Sequence, residues 1–234
     1  MTTPAAAPEA APVERVARRV VMRHRVQYAA MRMAFSTFGA LGFRAASNFG
    51  AFLGRLGYSP LKIRRRVVER QIEACFPHWS ADQVRATAIA AYESLGRTSI
   101  ETAVMSRCSR EEILGLFDAC NSWDVIEKGI GQRKGVVLVT GHLGNWELAG
   151  AYMAARGADL EAVARRQENP LFDAYLTRTR ERLGIKVIYD GDAVRRVPRA
   201  LRRGATVAFV IDQGAAGLAS TWVPFFGRQA KTPR

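Results

Sequence analysis

The chain predicts an α/β fold: a helical N-terminal region followed by a largely parallel sheet flanked by helices. Three observations carry this. Before Lys134 the apolar residues keep helical spacing. After it, short β-branched runs alternate with helical stretches. Hydrophobic side chains make up 48% of the 234 residues and charged ones 24%, which suits a folded domain rather than a disordered chain.

Residues 1–13, MTTPAAAPEAAPV, read as a disordered Ala/Pro-rich arm. They lack the basic and apolar regions of a secretory signal. Glu14 to Val26 holds five arginines and one glutamate, fitting either a helix on anionic lipid or a solvated basic helix. Tyr28 to Tyr58 is apolar and Gly-rich, interrupted by Arg32, Arg44 and Arg55. Its longest uncharged runs are eleven and ten residues, whereas a spanning helix needs about 20. A central arginine adds roughly 2.5–3.5 kcal/mol to insertion. A membrane-surface helix with Phe35, Phe38, Phe43, Phe49 and Phe52 as wedges is therefore expected. A tilted span over 33–54 and a buried helical hairpin are the alternatives. Residues 14–60 are read as this membrane-associating segment and 61–234 as the domain that follows.

Leu61 to Arg70 is basic again, with five Lys/Arg and one Glu. Pro77 breaks a helix. Ser80 is placed to cap the next one, with Gln83 as its capping-box partner. Apolar residues at 84, 88, 89, 91, 92 and 95 keep helical spacing, and the chain reads as mainly helical to about residue 130.

From Lys134 the pattern changes. Gly135–Thr140, Leu160–Ala164, Ile185–Tyr189 and Thr206–Ile211 read as buried strands. Leu148–Arg156, Leu171–Leu183 and Ala193–Arg203 read as the helices between them. Such alternation implies crossovers and a parallel sheet, whose sites gather at the carboxyl ends of the strands.

One motif occupies that place. Gly141-His142-Leu143-Gly144-Asn145-Trp146-Glu147 leaves the first strand and enters the next helix. Five residues along one helix turn about 500°, so His142 and Glu147 meet only if His142 lies in the loop. A carboxylate beside an imidazole fixes its tautomer and makes it a general base for a hydroxyl. The bland alternatives are a structural histidine and a glutamate favouring the helix N-terminus.

The remaining composition narrows the chemistry. Lys+Arg is 35 against 21 Asp+Glu, a net charge of +14 that invites an anionic partner or remains a solvated basic surface. Three cysteines without a C-x-x-C pair, and three histidines, argue against a disulfide framework and a metal site. Cys75 reads as a packing residue. No G-x-S-x-G, Walker loop or G-x-G-x-x-G is present, nor the aromatic–basic interleaving of RNA readers.

The 141–147 motif resembles the H-x4-D/E signature of glycerolipid-type acyltransferases, and more narrowly that of the bacterial lipid A biosynthesis (lauroyl/myristoyl) acyltransferases. Further blocks carry the likeness. Arg70–Pro77 ends in Cys-Phe-Pro, with Gln71 where Asn is usual. Tyr92, Gly96, Arg97 and Glu101 follow at the expected spacing. Arg165-Arg166-Gln167-Glu168-Asn169-Pro170 resembles an R-x-x-x-N-P block, with Arg180 and Arg182 after it. Asp212-Gln213-Gly214, Val223–Gly227, Ala230 and Thr232-Pro233 complete the likeness, which covers roughly residues 28–234. Family members continue past the Thr-Pro block, so the domain is expected to be incomplete at its C-terminus.

The resemblance implies a glycerolipid-acyltransferase-like fold. It also implies acyl transfer from acyl carrier protein to a hydroxyl of a lipid A precursor or related glycolipid, without cofactor, metal or acyl-enzyme. His142 would be the base and Glu147 its orienting carboxylate. Asn145 would face the oxyanion or simply cap the helix. Arg165 would hold an acceptor phosphate or form an ion pair, with Glu168 as a candidate partner. Asn169, Arg180, Arg182 and Asp212 join the substrate-binding candidates, with a turn-forming role preferred for Asp212. Acyl carrier protein, an anionic glycolipid and the cytoplasmic face of the inner membrane are the implied partners, and nucleic acid is not. Residues 163–203 hold eleven Lys/Arg and five Asp/Glu, net +6, which suits them. A non-catalytic lipid-binding protein on the same fold is the alternative.

Overall fold

The computed structural model describes residues 11–38, 42–214 and 220–233. Six helices precede the sheet: α1 (Ala11–Phe38), α2 (Phe43–Tyr58), α3 (Arg65–Cys75), α4 (Ala81–Met105), α5 (Arg110–Leu114) and α6 (Trp123–Gly131). Ala11, Pro12 and Val13, expected in the disordered arm, open α1 instead. Proline is tolerated there because first-turn N–H groups have no helical partner. The rest of the arm lies outside the described residues.

α2 and α4 form a close pair. Ala46, Ser47, Gly50, Ala51, Gly57 and Tyr58 are the buried positions of α2. Glycine permits the approach: a Cβ on Gly50 would lie 2.5 Å from the carbonyl oxygen of Gly96. One side of α2 is therefore buried, against α4 rather than against a second helix from within 28–58. Phe43 packs into the core and Phe49 lies against Phe52, which is exposed. The side chains of Phe35 and Phe38, and residues 39–41 of the 33–54 span, fall outside what is described. Among the described residues no helix is long and apolar enough to cross a membrane. α4 begins as its sequence predicts. Ser80 accepts from the Gln83 N–H, and the Gln83 side chain accepts from the Ser80 N–H.

The α/β half follows the predicted alternation: β1 (Val136–Thr140), α7 (Trp146–Ala155), β2 (Leu160–Ala164), α8 (Pro170–Arg182), β3 (Ile185–Tyr189), α9 (Ala193–Arg202) and β4 (Thr206–Val210). The four strands are parallel in the order β1-β4-β2-β3. A hairpin, β5 (Ser220–Phe225) and β6 (Arg228–Pro233), forms a separate antiparallel pair.

Each sheet face has its own core. On one, Met105, Ile113, Trp123, Tyr152, Leu160 and Ile185 cluster beneath α6 and α7. On the other, Ile188 and Val207 pack on Ala200 of α9. The cover over β1 is thinner, for Val137 and Val139 are 55% and 56% exposed.

Candidate active site

Parallel strands place all their carboxyl ends on one edge of the sheet. His142 follows β1, Arg165 follows β2, Asp190 follows β3 and Asp212 follows β4. His142 lies in the loop before α7, where the motif spacing requires it. Gly144 turns that loop at φ +56°, a conformation L side chains rarely adopt. Thr98 fixes the loop by donating to the Gly144 carbonyl at 3.0 Å.

The carboxylate on the imidazole is that of Asp212, not Glu147. His142 Nδ1 lies 2.6 Å from Asp212 Oδ1, and the His142 backbone N–H donates to Oδ2, also at 2.6 Å. The sheet order explains this pairing. β4 is the immediate neighbour of β1, with Thr140 in register with Val210, so the chain after β4 emerges beside His142. A Cβ on Gly141 would sit 2.9 Å from Asp212 Oδ2, so the absence of a side chain there makes room for the carboxylate.

Partial burial pushes the Asp212 carboxyl up. The two hydrogen bonds from His142 and the charge of its ring more than offset this and hold it below the ordinary value of 3.8. With an acceptor at Nδ1, the ring proton belongs on Nδ1 and the lone pair on Nε2. Gln213 Nε2 lies 3.2 Å from that Nε2, and Trp146 stands edge-on to the ring with centroids 4.4 Å apart.

Glu147 occupies the first turn of α7, as its spacing predicts, but its carboxylate turns to α8. Arg180 grips it with two N–H groups, and its Nε–H donates to Oε2 at 3.0 Å. Both side chains are largely buried. Burial pulls the guanidinium pKa down, but bonding to Glu147 outweighs it and the net shift is upward.

The other candidates separate. Asn145 Oδ1 caps α7 by accepting from the Leu148 N–H, and its Nδ2 donates to Glu101. Glu101 also accepts from Ser47 at 2.6 Å, which ties α2, α4 and the motif loop together. Arg165 is exposed, 3.7 Å from Asp190, while Glu168 pairs with Arg23. Asn169 caps α8 through its Oδ1 and reaches the His24 carbonyl of α1 through its Nδ2. Arg182 donates to the carbonyl of Met105, the last residue of α4, and to that of Cys108 in the loop after it. Sequence reasoning gave no role to Gln213, Trp146 or Glu101. The only signal available was their place beside or within the quoted blocks.

A cavity of about 870 Å³ runs from this edge under α7 and α6. His142, Gln213, Glu147, Arg165 and Arg180 line it, and so do Trp123, Ile126, Leu138, Leu160 and Ile185. Its walls reach from the carboxyl to the amino ends of the five-residue strands, a length of roughly 16 Å at 3.3 Å per residue. The small side chains Ala149, Ala162 and Ala208, with Gly150, leave the space open. An apolar tube ending at a carboxylate-oriented imidazole can hold a long hydrocarbon and deprotonate a hydroxyl at its mouth.

Comparison with known proteins identifies the family. The chain is 28% identical over 177 residues to the lipid A biosynthesis palmitoleoyltransferase of Escherichia coli K12, covering 76% of this chain and 57% of that protein. It is 28% identical over 192 residues to the lauroyltransferase of the same organism, covering 79% and 60%. It is 26% identical over 156 residues to the phosphatidylinositol mannoside acyltransferase of Mycolicibacterium smegmatis, covering 67% and 46%. The chain thus spans about half to three fifths of these relatives. The family described as bacterial lipid A biosynthesis acyltransferase matches residues 18–234, and the chain belongs to that family.

Proposed function

We propose that the chain transfers a fatty acyl group from acyl carrier protein to a hydroxyl of a lipid A precursor. The observation that carries this reading is the His142–Asp212 pair at the mouth of the apolar cavity. The acyl chain lies in the cavity with its thioester at His142. Nε2 removes the acceptor proton as the hydroxyl oxygen attacks the thioester carbon, while Asp212 stabilises the imidazolium that forms. Collapse of the tetrahedral intermediate expels the thiolate, which takes the proton back. Glu147 and Arg180 shape the mouth as a locked pair. Arg165 and Arg166, exposed beside it, suit an acceptor phosphate.

The basic stretch 163–203 suits an acidic carrier protein. The exposed apolar residues of α1 suit the surface of the inner membrane on its cytoplasmic side. The likeness to a phosphatidylinositol mannoside acyltransferase favours a second reading of the acceptor as another phosphorylated glycolipid.

Mass spectrometry of total lipids from a Gram-negative host lacking its own late acyltransferase tests the proposal. Expression of the chain is expected to add one acyl mass to lipid A, and His142→Ala to abolish it. An acyl mass on a different glycolipid would select the second acceptor. Equal products from both variants would remove His142 from the chemistry.

A further inference from the structure

A second pocket of about 380 Å³ lies between α1, α4 and α8. It is lined by Arg32, Arg107, Arg178 and Arg182 together with five hydroxyl side chains, and by no carboxylate. It shares no lining residue with the cavity at His142. Each guanidinium is held by a neutral partner. Arg107 donates to Ser36 at 3.3 Å, and Arg178 to its own helix at Ala174. Arg182 donates to the Met105 carbonyl, offsetting the negative end of α4, and to the Cys108 carbonyl beyond it. Arg32 stacks on the Tyr175 ring. Among the described residues none of the four makes an ion pair with a carboxylate. Four fixed like charges around one concavity repel each other, and an anion relieves that repulsion. Forked guanidiniums and hydroxyls match the oxygens of a phosphate.

The helix that walls the pocket says where the phosphate comes from. Tyr28, Arg32 and Ser36 recur every fourth residue on one side of α1. Met22, Val26 and Met33 form a second stripe, 60%, 60% and 71% exposed. The two stripes are about 100° apart around the axis. A helix lying in a lipid surface with the apolar stripe among acyl chains carries the arginine pocket at headgroup level. We propose that this pocket binds the phosphate of an anionic phospholipid headgroup and so seats the protein on the bilayer. The inference does not depend on the acyl-transfer reading.

The test is partitioning of the 234-residue chain onto vesicles of phosphatidylcholine with and without phosphatidylglycerol, followed by co-sedimentation. Arg107→Ala/Arg178→Ala is compared with Arg199→Ala/Arg202→Ala, a control of equal charge on α9. The pocket variant is expected to lose roughly tenfold more affinity for the anionic vesicles than the control. Arg107→Lys/Arg178→Lys, which keeps the charge, is expected to restore most of it. Circular dichroism confirms that each variant is folded. Equal losses in both alanine variants would overturn the proposal in favour of diffuse attraction by the net charge. Tight binding of inorganic phosphate, measured by calorimetry, with no change in vesicle partitioning would overturn the lipid as its source.

Discussion

Asp212 is held in its ionised form by two hydrogen bonds from His142. Its carboxyl titrates below the ordinary value of 3.8, so it stabilises the fold fully above that value. The contribution fades as pH falls through the lower value of the folded chain. The advantage of the wild-type chain over Asp212→Asn is therefore expected to persist at about pH 6 and to shrink at about pH 3, as read by urea midpoints. In the transfer assay the same substitution is expected to lower kcat by about 10²- to 10⁴-fold with little change in KM, because the base loses its orienting partner. Glu147 behaves differently. Glu147→Gln leaves the buried Arg180 charge without its partner, and a loss of about 3 kcal/mol in unfolding free energy is expected. Glu147→Gln/Arg180→Met, which removes both charges, is expected to recover much of it. A loss from Glu147→Gln in kcat alone, with stability unchanged, would return Glu147 to the chemistry.

At the level of elements, the α2–α4 pair depends on glycine. Gly50→Ala drives a methyl into the Gly96 carbonyl, so the helices must separate. A cost of about 1–3 kcal/mol is expected in denaturant unfolding. The separation would also disturb Glu101, through which α2 and α4 hold Asn145 and the motif loop. The sheet gives a second lever. Ala162 and Ala208 lie on adjacent strands facing the cavity. Ala208→Leu is expected to shorten the preferred acyl chain by a few methylenes, read as the acyl mass added to the lipid. An unchanged acyl mass would place the hydrocarbon elsewhere.

The whole molecule carries a net charge of +14. An acidic carrier protein would be drawn by that field, which salt screens to about 8 Å at physiological ionic strength and about 3 Å at 1 M. The kcat/KM for an acyl carrier donor is expected to fall with added salt mainly through KM, and a salt-independent KM would exclude steering. At this scale the chain itself was an informative guide. The four parallel strands, the helices between them and the capping box of α4 all follow from local periodicity, β-branched runs and turn residues. The position of His142 in a loop at a strand end followed from the same signals. Its partner did not, because Asp212 is 70 residues away and reaches His142 only through the pairing of β1 with β4. Glu147 is five residues away in sequence yet faces α8, because a helix sends its first-turn side chains where the neighbouring element is packed. Local pattern therefore determined the four parallel strands, the helices between them, the family blocks and the candidate base, but not the β5–β6 hairpin. Strand order and helix packing are long-range outcomes of burying one face against another. They decided which carboxylate serves the histidine, where the apolar cavity runs and which arginines gather in the second pocket.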